Sequence, residues 1–143
     1  MSSAFEMAIA VEPADIDELG HVNNVVYLRW VQDIAIAHWK AAASARDQAN
    51  LLWIVVRHEI DYKQAARLGD GVLARTWVGA ATRVKFERHT ELRRARDGVL
   101  LAKALTVWCP IDSLTGKLAS VSPEVRAVFS ASKEAEQAAD ERR

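Results

Sequence analysis

The sequence predicts an α+β fold in which a curved antiparallel β-sheet wraps around one long helix. Three observations lead there. Residues 24–43 contain neither Gly nor Pro and are apolar on most faces, the pattern of a helix that other elements must cover. Four segments of alternating apolar and polar residues follow it, and a shorter one precedes it. Gly69-Asp70-Gly71 and Asp97-Gly98 punctuate the later segments as turns, so successive strands run antiparallel.

Residues 4–12 alternate loosely up to Pro13 and read as the first strand. The helix starts at Asn23 or Asn24, either of which can cap it, and runs to about Ala43. Arg29, Gln32, Asp33 and Lys40 give it limited polar relief, so it is expected to be nearly surrounded. Leu51–Tyr62 places Leu52, Ile54, Val56, Ile60 and Tyr62 on one parity, expected to face inward, and Arg57, Glu59 and Asp61 on the other. Val72–Gly79 sets Val72, Ala74, Thr76 and Val78 against Arg75 and Trp77. The next strand is expected over Arg83–Arg94, with Val84, Phe86, Thr90 and Leu92 inward, and it turns at Asp97-Gly98 into Val99–Ile111. After the turn-like Asp112–Gly116, Ser122-Pro123-Glu124 opens a last helix, with Ser at the cap and Pro in the first turn. One domain over residues 1–130 accounts for these elements, followed by a polar tail over 131–143, helical or frayed.

Composition narrows the function classes. A chain of 143 residues forms one domain that buries about two-thirds of its unfolded surface. Nineteen basic residues balance nineteen acidic ones, so no electrostatic reason exists to expect nucleic acid. Cys109 is the only cysteine, which excludes a disulfide framework and a thiolate metal cluster and points to a reducing compartment, the cytoplasm. The first residues lack a signal-peptide pattern, and no apolar run approaches the roughly 18 residues of a membrane span. The expected partners are a small molecule and a second copy of the chain.

Chemistry concentrates in Asp15-Ile-Asp-Glu-Leu-Gly-His-Val-Asn-Asn-Val-Val-Tyr27, which leads directly into the long helix. The first turn of that helix carries unpaired backbone N–H groups and the positive end of the helix dipole. Asp17 lies one short loop away and can attack a carbonyl carbon or deprotonate water, while the N–H at Asn24 polarises the carbonyl oxygen. Gly20 admits backbone conformations closed to other residues and close approach of a ligand, and Tyr27 lies one helical turn inside, where it can border the pocket. So sparse a site suits a thioester, because a thiol with a pKa of about 8.5 leaves without strong acid assistance. No G-x-S-x-G elbow, phosphate loop or H-E-x-x-H helix offers a competing chemistry.

These residues resemble the active-site loop and central helix of hotdog-fold acyl-thioester hydrolases of the 4-hydroxybenzoyl-coenzyme A thioesterase type. The resemblance extends over nearly the whole chain, through Ile60-Asp-Tyr-Lys, Leu68-Gly-Asp, Phe86-Glu-Arg-His and Ile111-Asp-Ser-Leu-Thr-Gly-Lys117. It implies a hotdog fold, Asp17 as catalytic nucleophile or general base, the Asn24 N–H as oxyanion donor, and active sites between subunits of a homodimer or homotetramer. Two positions depart from it. Gln32 stands where many acyl-coenzyme A members carry a helix glutamate, and Leu19 stands where plant acyl-carrier-protein thioesterases, which share H-V-N-N, carry an asparagine.

His21 is retained as a candidate helper of Asp17, whereas Asp15 reads as loop scaffold. His58 is a candidate lining residue, although a histidine that shares the parity of Ile54, Val56 and Ile60 is more often a hydrogen-bonded interior one. Arg83 and Lys85, with Arg88 nearby, are candidates for the coenzyme A phosphates, although a charged row on a strand is more often a solvated face. Cys109 reads as a small buried hydrophobe rather than a nucleophile. No metal and no cofactor beyond coenzyme A as part of the substrate is expected. The expected function is hydrolysis of an acyl-coenzyme A or acyl-carrier thioester to acid and thiol. The alternatives are a non-catalytic acyl-binding module and, given an Asp-to-His spacing that argues against it, an enoyl-thioester hydratase.

Overall fold

The long helix α1, Asn24–Ala42, organises the chain. In the computed structural model, which describes residues 4–130, its buried residues are Val26, Tyr27, Trp30, Val31, Ile34, Ala35 and His38, a stripe at three- and four-residue spacing. The stripe packs on Val72, Ala74, Leu92, Leu101 and Ala102 of the sheet. The opposite side is open: Val25 and Ile36 are exposed, as are Gln32, Asp33 and Lys40. The expectation of a nearly surrounded helix is thus corrected, since one chain covers only one stripe.

Strand β1, Phe5–Ala10, precedes α1, and a short helix, α2, Ala45–Asn50, follows it. Ser44 caps α2 by accepting from the Asp47 N–H at 3.1 Å; this S-x-x-D signal went unread in the sequence. Then come β2 (Leu51–Tyr62), β3 (Gly71–Ala81), β4 (Phe86–Arg94), β5 (Leu100–Asp112) and α3 (Pro123–Ser130). The five strands form one sheet in the order β1-β3-β4-β5-β2, with every pair antiparallel. This is the hotdog fold, an antiparallel sheet around a helix. The expected tail over 131–143 lies outside the described residues, and among those described no helix is long and apolar enough to cross a membrane.

Two strand assignments change. The β2–β5 register shifts between Val55 and Arg57, a β-bulge that reverses the alternation of side chains. Before it, Leu51, Trp53 and Val55 are half-buried, whereas Leu52, Ile54 and Val56 are 54%, 47% and 53% exposed. Beyond it His58 and Ile60 are half-buried. A single parity therefore does not describe this strand, and Leu52, Ile54 and Val56 are not core. Strand β4 begins at Phe86 rather than Arg83; residues 82–85 form the β3–β4 turn, closed by the Thr82 N–H on the Lys85 carbonyl at 2.8 Å. In β3 the predicted inward set Val72, Ala74, Thr76 and Val78 is buried. Trp77 on the other face is buried as well, stacked on His89 with the Arg75 guanidinium over its ring.

Candidate active site

The motif residues fold into a small hairpin ahead of α1. Ile16 bridges Val22, the Asp17 N–H donates to the His21 carbonyl at 2.8 Å, and the Gly20 N–H donates to the Asp17 carbonyl at 3.1 Å. Gly20 has φ +78°, a left-handed conformation that L side chains resist. The space where its Cβ would stand is open, so conformation rather than close packing requires glycine. Asp15 is scaffold, as expected. Its carboxylate accepts from the Glu12 N–H and the Arg29 guanidinium, each at 2.9 Å, and its carbonyl accepts from the Asn23 N–H at 2.8 Å. Burial works to raise its pKa, but these donors outweigh it and hold the carboxyl below the ordinary value.

The hairpin fixes the Asp17 carboxylate. The Leu19 and His21 N–H groups donate to Asp17 Oδ1 at 2.9 and 3.2 Å. Oδ2 has no protein partner among the described residues. At the helix start, Asn23 is the cap: its Oδ1 accepts from the Val25 N–H at 3.1 Å, and its carbonyl accepts from the Val26 N–H at 2.9 Å. The Asn24 N–H is left without a partner among the described residues. Asp17, His21, Asn23, Asn24 and Tyr27 line one groove of about 390 Å³. Asp17 and Asn24, separated by the hairpin in sequence, are thus brought to one cavity with an acceptor and a donor uncommitted.

The far wall of the groove comes from Tyr62, Lys63, Gln64 and Ala65. Tyr62 Oη donates to the Asn24 carbonyl at 3.2 Å. The sequence reading included Ile60-Asp-Tyr-Lys in the resemblance but missed its placement here, which follows from the antiparallel return of the chain rather than from local pattern. Tyr27 borders the groove, and its hydroxyl accepts from the buried Ala66 N–H at 2.9 Å. Burial raises the Tyr27 pKa, which keeps the phenol neutral. The remaining candidates lie elsewhere. His58 Nδ1 is 3.0 Å from Thr106 Oγ1 on β5, and burial lowers its pKa. Arg83 and Lys85 are exposed on the β3–β4 turn and do not line the groove.

Residues 11–129 match the thioesterase-like superfamily. The chain belongs to that superfamily. Curated relatives include a chloroplastic palmitoyl-acyl carrier protein thioesterase from Gossypium hirsutum, 28% identical over 105 residues, and its namesake from Arabidopsis thaliana at 29%. Each alignment covers 67% of this chain, which spans about a quarter of these relatives' length: 25% and 26%. Solved structures with the same fold include a 1,4-dihydroxy-2-naphthoyl-CoA thioesterase from Synechocystis. It has a TM-score of 0.77 and 22% identity, with 88% of this chain and 95% of that one covered. A thioesterase from Thermus thermophilus complexed with coenzyme A and Zn has a TM-score of 0.79 and 23% identity, covering 93% and 96%.

Proposed function

We propose that this superfamily member hydrolyses an acyl thioester, carried on coenzyme A or an acyl carrier protein, at the groove between the motif hairpin and α1. One observation carries the reading: Asp17 Oδ2 and the Asn24 N–H are both uncommitted and belong to residues of one cavity. Asp17 acts as nucleophile or general base. As base it takes a proton from water while the water oxygen attacks the carbonyl carbon. The resulting oxyanion accepts from the Asn24 N–H, aided by the helix dipole. Collapse of the tetrahedral species expels the thiolate, which takes up the proton, leaving acid and thiol. As nucleophile, Asp17 forms a mixed anhydride with the acyl group, expels the thiolate, and is regenerated when water opens the anhydride. His21 contributes through its backbone N–H to Asp17, which does not require its ring.

The reading extends to assembly. Strand β2 is an edge of the sheet and carries exposed Leu52, Ile54 and Val56, which suits pairing with a second copy in a homodimer or homotetramer. The matched relatives and structures bear palmitoyl-carrier and aromatic coenzyme A names, so the test panel spans both. Thiol release from palmitoyl-acyl carrier protein, aliphatic acyl-coenzyme A and aromatic acyl-coenzyme A is expected for at least one class. Acyl binding without thiol release from any of them would instead establish the acyl-binding module.

A further inference from the structure

A second cavity, of about 450 Å³, lies along α1 from Gln32 to Lys40, away from the Asp17 groove. Its walls are aromatic: Trp39 of α1, Trp53 of β2, Phe86 of β4, Trp108 of β5 and Phe129 of α3. Trp53 and Phe86 meet edge to face at 5.0 Å, and Phe129 stands 5.8 Å from Phe86. Such a site favours a ligand with a flat or extended apolar body.

Its polar character is one-sided. The charged residues that line it, Arg88 and Lys40, are both cations. Arg88 is only 4% exposed and points inward with Phe86, Thr90 and Leu92. Its Nη1 lies 2.9 Å from His38 Nδ1 and donates to Thr76 Oγ1 at 3.2 Å, and its guanidinium sits 5.5 Å from the centre of the Phe129 ring. All of these partners are neutral. Burial and the adjacent Arg88 charge push the His38 pKa down to about 4, so at neutral pH its Nδ1 accepts from the guanidinium. Burial lowers the Arg88 pKa to about 10, which leaves it charged near pH 7. By strand alternation Glu87 and Glu91 lie on the opposite face of β4, and Glu91 pairs with Arg93 at 3.5 Å. Among the described residues Arg88 has no carboxylate partner. Among the described residues the indole N–H groups of Trp53 and Trp108 are also buried without acceptors. Among the described residues, the walls therefore hold a buried cation without a counter-ion, a costly arrangement unless an anion completes it.

We propose that this cavity binds an organic acid, its apolar or aromatic body lying among Trp39, Trp53 and Phe129 and its carboxylate paired with Arg88. The carboxylate has two possible sources, a free acid or the far end of an acyl group still joined to its carrier. Binding of the free acid does not depend on thioester hydrolysis, so this site and the Asp17 reaction stand or fall separately.

Three cavity-lining tryptophans make intrinsic fluorescence a direct readout on the full chain, with decanoate and 3-phenylpropanoate as probes and decanamide as the neutral control. A saturable change with the acids is expected, about tenfold or more tighter than with decanamide. Arg88→Gln is expected to erase that preference and Arg88→Lys to keep part of it, each with native circular dichroism. If Arg88→Gln does not fold, the wild-type comparison of acid with amide still decides. Tighter binding of an acyl-coenzyme A bearing a terminal carboxylate than of decanoyl-coenzyme A, weakened in Arg88→Lys, would identify the acyl source; preference confined to free acids would identify the other. Equal affinity for acid and amide overturns the proposal. So does a flat titration in wild type that becomes saturable only in Glu134→Gln/Glu136→Gln, since the chain's own tail would then supply the anion.

Discussion

Replacing Tyr27 with Phe should loosen the wall of the Asp17 groove without touching the reacting groups. Tyr27 is 2% exposed and Ala66 is 0% exposed, and the Tyr27 hydroxyl accepts the Ala66 N–H at 2.9 Å. Phenylalanine keeps the ring contacts with Trp30 and Tyr62 and leaves the Ala66 N–H buried without an acceptor. An unsatisfied buried donor costs about 1–3 kcal/mol. For a chain of this size that corresponds to a fall in melting temperature of roughly 3–10 °C. Ala66 also accepts the Val22 N–H at 2.8 Å, so it clasps the motif hairpin to the segment that carries Lys63 and Gln64. The variant's KM should therefore rise more than its kcat falls. Urea denaturation and thiol-release kinetics measure the two effects. Tyr62→Phe is the control: its hydroxyl serves the solvent-accessible Asn24 carbonyl, and its loss should cost within about 0.5 kcal/mol. A Tyr27→Phe cost no larger than the control's would refute the clasp.

Asn23→Ala should remove the α1 cap and destabilise by about 1 kcal/mol in denaturant titration. Gly20→Ala should cost about 1 kcal/mol, because a φ of +78° strains any L residue, with activity reduced further through the displaced Asp17 carboxylate. The His38 pKa of about 4 lies below the ordinary 6.5, so between these values the unfolded chain binds the proton and the folded chain does not. Its contribution is full above pH 6.5 and is lost as pH falls toward 4, a change of roughly 3 kcal/mol. The stability difference between wild type and His38→Gln, followed from about pH 7.5 to about pH 4, should shrink by that order as acid is added; a constant difference would contradict the neutral, buried histidine.

The topology was legible because its signals are local. The apolar run after Asn24, the alternation in Val72–Gly79 and the Asp97-Gly98 turn each specify their own element. The motif likewise announces Asp17, Gly20 and the Asn23 cap within a few residues. What escaped the sequence depends on distant partners. The bulge at Val56 carries no Gly or Pro marker, yet it reverses which residues of β2 face inward. Arg88 is buried although arginine on a strand ordinarily marks the solvated face, because His38, fifty residues away, and Thr76 accept from it. The Tyr27–Ala66 bond spans thirty-nine residues and likewise has no local signature.

Thiol release by Asp17→Asn tests the central claim most directly. Asparagine Oδ1 can still accept the Leu19 and His21 N–H groups, so the hairpin and the melting temperature should be preserved while the negative charge is lost. Turnover of the best acyl thioester is predicted to fall by about 100-fold or more. Wild-type turnover in a folded Asp17→Asn protein would contradict the account and move the chemistry out of the groove.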